Sequence, residues 1–112
     1  MNVLQDKVLL GGVSAAGESG VMSMLQESEV VLSVEGSATA ISLRAYGTTG
    51  DPQDEKATWV ELAILNMNDF SVSQTAGKAG IFAVPVDGVR GFKVKLESVS
   101  GGTVTVRGRA GA

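Results

Sequence analysis

An all-β fold is what the sequence predicts: an antiparallel β-sandwich of jelly-roll type, with about eight or nine short strands in a single domain. Three observations lead there. In Phe92-Lys93-Val94-Lys95-Leu96-Glu97 the apolar residues fall on alternate positions, and Val104-Thr105-Val106-Arg107 repeats the pattern after Ser100-Gly101-Gly102. Such alternation puts one face in a core and the other in water. The 112 residues include 15 glycines and 2 prolines spread along the chain, which favours many tight turns over a few long helices. Aromatic residues make up 4% of the chain against 44% apolar overall, so the core must be built from Val, Leu, Ile, Ala and Met.

Taken in order, Val3 to Leu10 is a first strand closed by Gly11-Gly12, with Asp6-Lys7 interrupting its pattern. Val13 to Gly20 reads as a loop of small residues. Val21-Met22-Ser23-Met24-Leu25 fits either a strand or a helical turn. In Glu29 to Glu35 the residues Val30, Leu32 and Val34 alternate with Val31, Ser33 and Glu35, and Gly36 stops the strand. Ala40 to Tyr46 continues the rhythm and ends at Gly47, so the two strands are expected to form a hairpin across Gly36 to Thr39. The polar stretch from Gly47 to Lys56 carries Gly50 and Pro52 and reads as an exposed loop.

Ala57 to Leu65, centred on Thr58-Trp59-Val60-Glu61-Leu62, reads as a strand, because β-branched and aromatic residues favour one over a helical turn. Phe70 to Ser73 is a short strand, Gln74 to Gly80 a loop, and Ile81 to Val86 a strand. Pro85 cannot donate to a ladder, which puts it at an edge or a strand end. After the Asp87-Gly88 turn, the last two strands are expected to form a closing hairpin. For Phe92, Val94 and Leu96 to share a face with Val104 and Val106, its loop must hold an odd number of residues. No internal repeat or second domain is visible, so residues 1–112 form one domain, large enough to bury roughly two-thirds of the surface its unfolded chain exposes.

Cysteine and histidine are both absent. That removes disulfides, thiolate zinc sites, thiol nucleophiles and the commonest general base near neutral pH. Met1 to Lys7 carries charges where a cleaved signal needs an apolar core, and no segment approaches the roughly 20 apolar residues of a membrane span. The expectation is synthesis in a cytoplasm without a cleaved signal. A net charge of −3 gives nucleic-acid binding no support.

Four residue groups invite a functional reading beside a plainer one. Asp51, Asp54 and Glu55 offer carboxylates at a spacing suited to calcium, but they do not match an EF-hand loop, and solvation is the ordinary fate of such a loop. Lys93, Lys95 and Arg107, joined by Arg90 and Arg109, would form a basic stripe on the outer face of the closing hairpin. No aromatic residues are interleaved with these charges for single-strand stacking, so a solvated face or a protein contact is the expectation. Trp59 and Tyr46 suit stacking on a sugar, although Trp59 lies in an apolar run where core packing is usual. Met22, Met24 and Leu25 suit an apolar contact patch, with core the commoner outcome. Asp69, Asp87, Glu97 and Glu61 are available for acid–base chemistry, but no spacing pairs them. The sequence assigns no catalytic, cofactor-binding or metal-ligating residue, and the protein is expected not to be an enzyme.

The run Val30-Val31-Leu32-Ser33-Val34-Glu35-Gly36-Ser37, then Ala40 to Gly47, then Thr58-Trp59-Val60-Glu61-Leu62, resembles the cadence of small phage and prophage virion proteins. Val86-Asp87-Gly88-Val89-Arg90-Gly91 and Ser100-Gly101-Gly102-Thr103-Val104-Thr105-Val106 are similar to the close of that group. The resemblance implies a β-sandwich displayed on a virion as a head fibre, a capsid decoration or a tail-associated protein. It also implies a homo-oligomer, with a trimer favoured, and the major capsid protein or another virion protein as partner. Neither nucleic acid nor membrane is an expected partner. No coiled-coil or collagen-like stalk is present, which favours a compact decoration protein. Met1 to Val13 fits the sandwich pattern least well and is expected to dock onto the capsid or a neighbouring subunit. The alternative is a carbohydrate-binding module or tail-associated adhesin domain, which would share the fold.

Overall fold

The computed structural model of the chain describes residues Met1–Ala112 and contains no helix. Its strands are β1 (Val3–Val13), β2 (Gly17–Glu18), β3 (Met22–Ser23), β4 (Glu29–Glu35), β5 (Ala40–Thr48), β6 (Val60–Leu62), β7 (Ile64–Asn66), β8 (Val72–Ser73), β9 (Gly80–Pro85), β10 (Gly91–Ser100) and β11 (Val104–Gly111). A six-stranded sheet runs β1-β11-β4-β9-β7-β8, and a five-stranded sheet runs β2-β10-β5-β6 with β3 also paired to β10. Every pairing is antiparallel, and the two sheets pack face to face as the predicted β-sandwich.

The alternation read from the sequence sets the inner faces. Val30, Leu32 and Val34 of β4 and Val104, Val106 and Ala110 of β11 face Ile41, Leu43 and Ala45 of β5 and Phe92, Val94 and Leu96 of β10. Leu9, Leu10, Met22, Met24, Ile64, Ala76, Phe82, Val84 and Val86 complete the core. Gly108 keeps the inner face of β11 low: a Cβ there would stand 3.0 Å from Leu9 Cδ1 and 3.4 Å from Met22 Sδ.

Both expected hairpins are instead crossovers between the sheets. β4 pairs with β11 and β9 while β5 pairs with β10 and β6, so Gly36 to Thr39 carries the chain from one sheet to the other. Gly101 to Thr103 does the same between β10 and β11. In each case both strands turn their apolar residues into the space between the sheets, so the sequence pattern is the one a hairpin would show. The two arches lie side by side and are bonded together. Ala38 N donates to Thr103 O (3.0 Å), Thr39 N to Ser100 O (3.0 Å), and Thr103 N to Ser37 Oγ (3.1 Å). Gly36 (φ 134°) and Gly101 (φ 76°) make this possible, because a Cβ on the first would overlap the Thr103 carbonyl and one on the second the Thr39 hydroxyl.

The count of 11 strands exceeds expectation for two local reasons. The apolar run Ala57 to Leu65 changes sheet at Ala63, which splits it into β6 and β7, and Gly17–Glu18 adds a short strand against β10 inside the expected loop. Gly11-Gly12 does not end β1 but sits in a register shift between Leu10 and Val13. Pro85 is the last residue of β9, an interior strand, so the strand-end reading holds. At the far end of β1 the termini are paired, Asn2 N to Ala112 O and Ala112 N to Asn2 O, each at 3.1 Å.

Candidate functional site

The expected basic stripe does not form, because its members lie on opposite outer faces of the sandwich. Lys93 and Lys95 project from β10 in the five-stranded sheet, whereas Arg107 and Arg109 project from β11 in the six-stranded one. Arg107 and Arg109 flank Asp6 of β1, at 3.9 and 3.4 Å. That gives the interrupting Asp6 of the sequence a structural use. Lys93 Nζ lies 3.5 Å from Glu18 and 4.4 Å from the centroid of the Trp59 ring. On the same face Arg44 bonds both Glu61 and Glu97, and Ser42 Oγ also donates to Glu97. The hydrogen bonds that Arg44 donates to Glu61 and then Glu97 raise its pKa, and the bond from Arg44 holds Glu97 below the usual glutamate range. These charges satisfy one another, which is the behaviour of a solvated outer face.

Trp59 is half-buried in the loop before β6, not in a strand. Its indole stands over Gly91, where a Cβ would come within 3.2 Å of Cη2, and the Lys93 ammonium sits over its ring. Tyr46 lies opposite Lys93 in the neighbouring strand, so the aromatics share a face, with Lys93 over the Trp59 ring. In the polar loop Asp51 Oδ1 accepts from Gln53 N and Asp54 Oδ1 from Lys56 N, both at 2.9 Å. Each carboxylate closes its own turn, and no three acidic side chains in the protein converge as a metal site would need.

Of the candidate patch residues, Met22 and Met24 are core, the commoner outcome for such residues, while Leu25 is 94% exposed. The residue that explains this was not singled out in the sequence. Glu27 is a buried carboxylate whose Oε1 accepts from the amides of Leu25 and Gln26, both at 2.8 Å, and whose Oε2 accepts from Gln5 Nε2 of β1. Burial pushes its pKa up, but these hydrogen bonds outweigh burial and leave it below the ordinary glutamate range. Glu27 thus fixes a loop that holds Leu25 out into solvent beside Leu4, around a depression of about 290 Å³. Val3, Leu4 and Val8 are exposed along the same free edge strand.

A second apolar surface lies at the other edge of the six-stranded sheet. Met67, Phe70, Val72 and Ile81 are all exposed there. Phe70 is 71% exposed and has φ 59°, a left-handed conformation that is rare for a bulky side chain. Its turn is tied by Phe70 N to Asn66 O (2.8 Å), Asn66 N to Ser71 O (2.8 Å), and Ser71 Oγ to Asp69 Oδ1 (2.6 Å). The Ser71 hydroxyl and then its amide hold Asp69 below the ordinary aspartate range, with a smaller contribution from Lys78. The only sequence signal for this turn was the Asn68-Asp69 pair ahead of a short alternating strand.

The sequence profile of the XepA family matches residues 5–110. Two solved structures share the fold. The SPBc2 prophage-derived protein YomS is 19% identical with a TM-score of 0.82, over 95% of this chain and 90% of its own. The PBSX exported protein XepA is 20% identical with a TM-score of 0.83, over 95% of this chain and 37% of its own, so this chain spans well under half of that protein. No curated protein matches the sequence.

Proposed function

The chain belongs to the XepA family, and from that premise we propose that it is a phage-derived structural protein, a compact decoration on the outer surface of a phage head. In this reading it is not an enzyme. It acts as a homo-oligomer, with a trimer the favoured closed form, bound to the major capsid protein or another virion protein. The observation that carries the reading is the free edge strand β1, apolar at Val3, Leu4 and Val8, with Leu25 fixed beside it by Glu27. An exposed edge of this length is a pairing hazard unless a partner covers it. The prophage origin of YomS, which has the same fold, adds support.

The test is co-sedimentation with undecorated phage heads, together with the solution mass by light scattering. The wild-type protein should sediment with heads and form a closed oligomer, and Leu4→Asp with Leu25→Asp should abolish both while the protein stays folded. Heads that fail to retain the wild-type protein would remove the decoration role. A double variant that still binds would remove the β1 edge. A second reading, release from the host cell, is favoured by the likeness to the PBSX exported protein. Fractionation separates the two, since a decoration protein travels with particles and a released one stays in the medium.

A further inference from the structure

We propose that the groove between β7, β8 and the loop leading to β9 binds an anionic saccharide, its carboxylate or phosphate seated on Lys78 and its ring hydroxyls held by Asn66, Ser73 and Thr75. The groove measures about 290 Å³, near the lower end of small-molecule sites, and has Ile64 and Phe82 in its lining. Both are buried, so they form a closed apolar floor.

The polar wall has an excess of donors. Asn66 Oδ1 is used, accepting from Asn68 N at 2.9 Å, which leaves its amide NH2 to donate. Ser73 Oγ accepts from Thr75 N at 3.2 Å and keeps its own proton. The Thr75 hydroxyl has no protein partner, and Lys78 is in none of the ion pairs of the structure. Asp69 makes no ion pair with Lys78, and its Oδ1 accepts from the Ser71 amide and hydroxyl. Ser73 and Lys78 are exposed, and a ligand rich in acceptors and carrying negative charge complements their free donors. Phe82 is buried and offers no open ring face, which disfavours a planar base and favours a saturated, hydroxylated ring. Asn66 and Lys78 also line an adjoining hollow of about 700 Å³, so the site has room for a second ring. This inference does not rest on the decoration role.

The test is amide chemical-shift mapping of the full chain titrated separately with glucuronate, glucose 6-phosphate, glucose and inorganic phosphate. The two anionic sugars should shift resonances between Ile64 and Phe82. Glucose should bind at least about tenfold more weakly, the loss expected when a charge-assisted hydrogen bond is missing. Lys78→Met should lose the same factor with an otherwise unchanged spectrum, and Lys78→Arg should retain binding. The proposal is overturned if no probe shifts these resonances or if Lys78→Met binds like wild type. Glucose binding as well as glucuronate would also overturn it. Inorganic phosphate binding as well as glucose 6-phosphate would reduce the site to an anion hole and overturn the saccharide assignment.

Discussion

At one edge of the six-stranded sheet, β1 runs for 11 residues and sends Leu9 and Leu10 into the core; at the other, β8 has 2 residues, both exposed. Each edge presents an apolar residue on a loop tied by a carboxylate, Leu25 through Glu27 and Phe70 through Asp69. The ties differ in kind. Glu27 is buried and joins its loop to β1 through Gln5, whereas Asp69 is exposed and bonds only within its own turn. The β1 edge is therefore part of the folding unit. The β8 edge is an appendage whose shape is local.

The sharpest way to break this contrast is to truncate each edge. Leu10→Ala should cost about 2–5 kcal/mol in urea unfolding, as for a leucine lost from a core, while Val72→Ala should stay within about 0.5 kcal/mol. Equal costs would mean that β8 is as integral as β1. A smaller effect is expected from the carboxylates. Glu27→Ala leaves the Leu25 and Gln26 amides without an acceptor and should cost about 1–3 kcal/mol, against no more than about 1 kcal/mol for Asp69→Ala in its solvated turn.

The Glu27 contribution also has a pH signature. Its folded pKa is lowered, so the unfolded chain binds the proton more readily and stability rises with pH. The contribution is complete above the ordinary glutamate value of about 4.3 and disappears as pH falls through the folded value. Urea midpoints taken downward through that window should fall less steeply in Glu27→Gln than in wild type. The smallest effect has the opposite sign. Phe70→Gly relieves the left-handed strain at a largely exposed position and should stabilise by up to about 1 kcal/mol in thermal unfolding. A destabilised variant would show that Phe70 packs against its turn after all.

The residue-by-residue alternation of β4, β5, β10 and β11 was legible in the sequence, because period-two burial follows directly from strand geometry. Strand partners were not. An arch and a hairpin give the same inward pattern; the hairpin reading puts Lys93 and Arg107 on one outer face, and the structure puts them on opposite ones. The sheet change at Ala63 was hidden for a related reason: an apolar run that leaves one sheet and enters the other never stops being apolar. Glu27 was missed because its partners are backbone amides one and two residues back, which no side-chain pattern encodes. The groove on Asn66, Thr75 and Lys78 is assembled by β7 folding against β8 and β9, from residues that separately read as loop.

The pairing of Asn2 with Ala112 has a mechanical consequence. The two ends of the chain leave from neighbouring positions on adjacent antiparallel strands, so tension between them pulls β1 and β11 apart from one end. The ladder then opens rung by rung instead of sharing the load along its length. Tethered by both ends, this sandwich yields as a zip, whereas tension between the two arches and the opposite end would meet the full set of rungs at once.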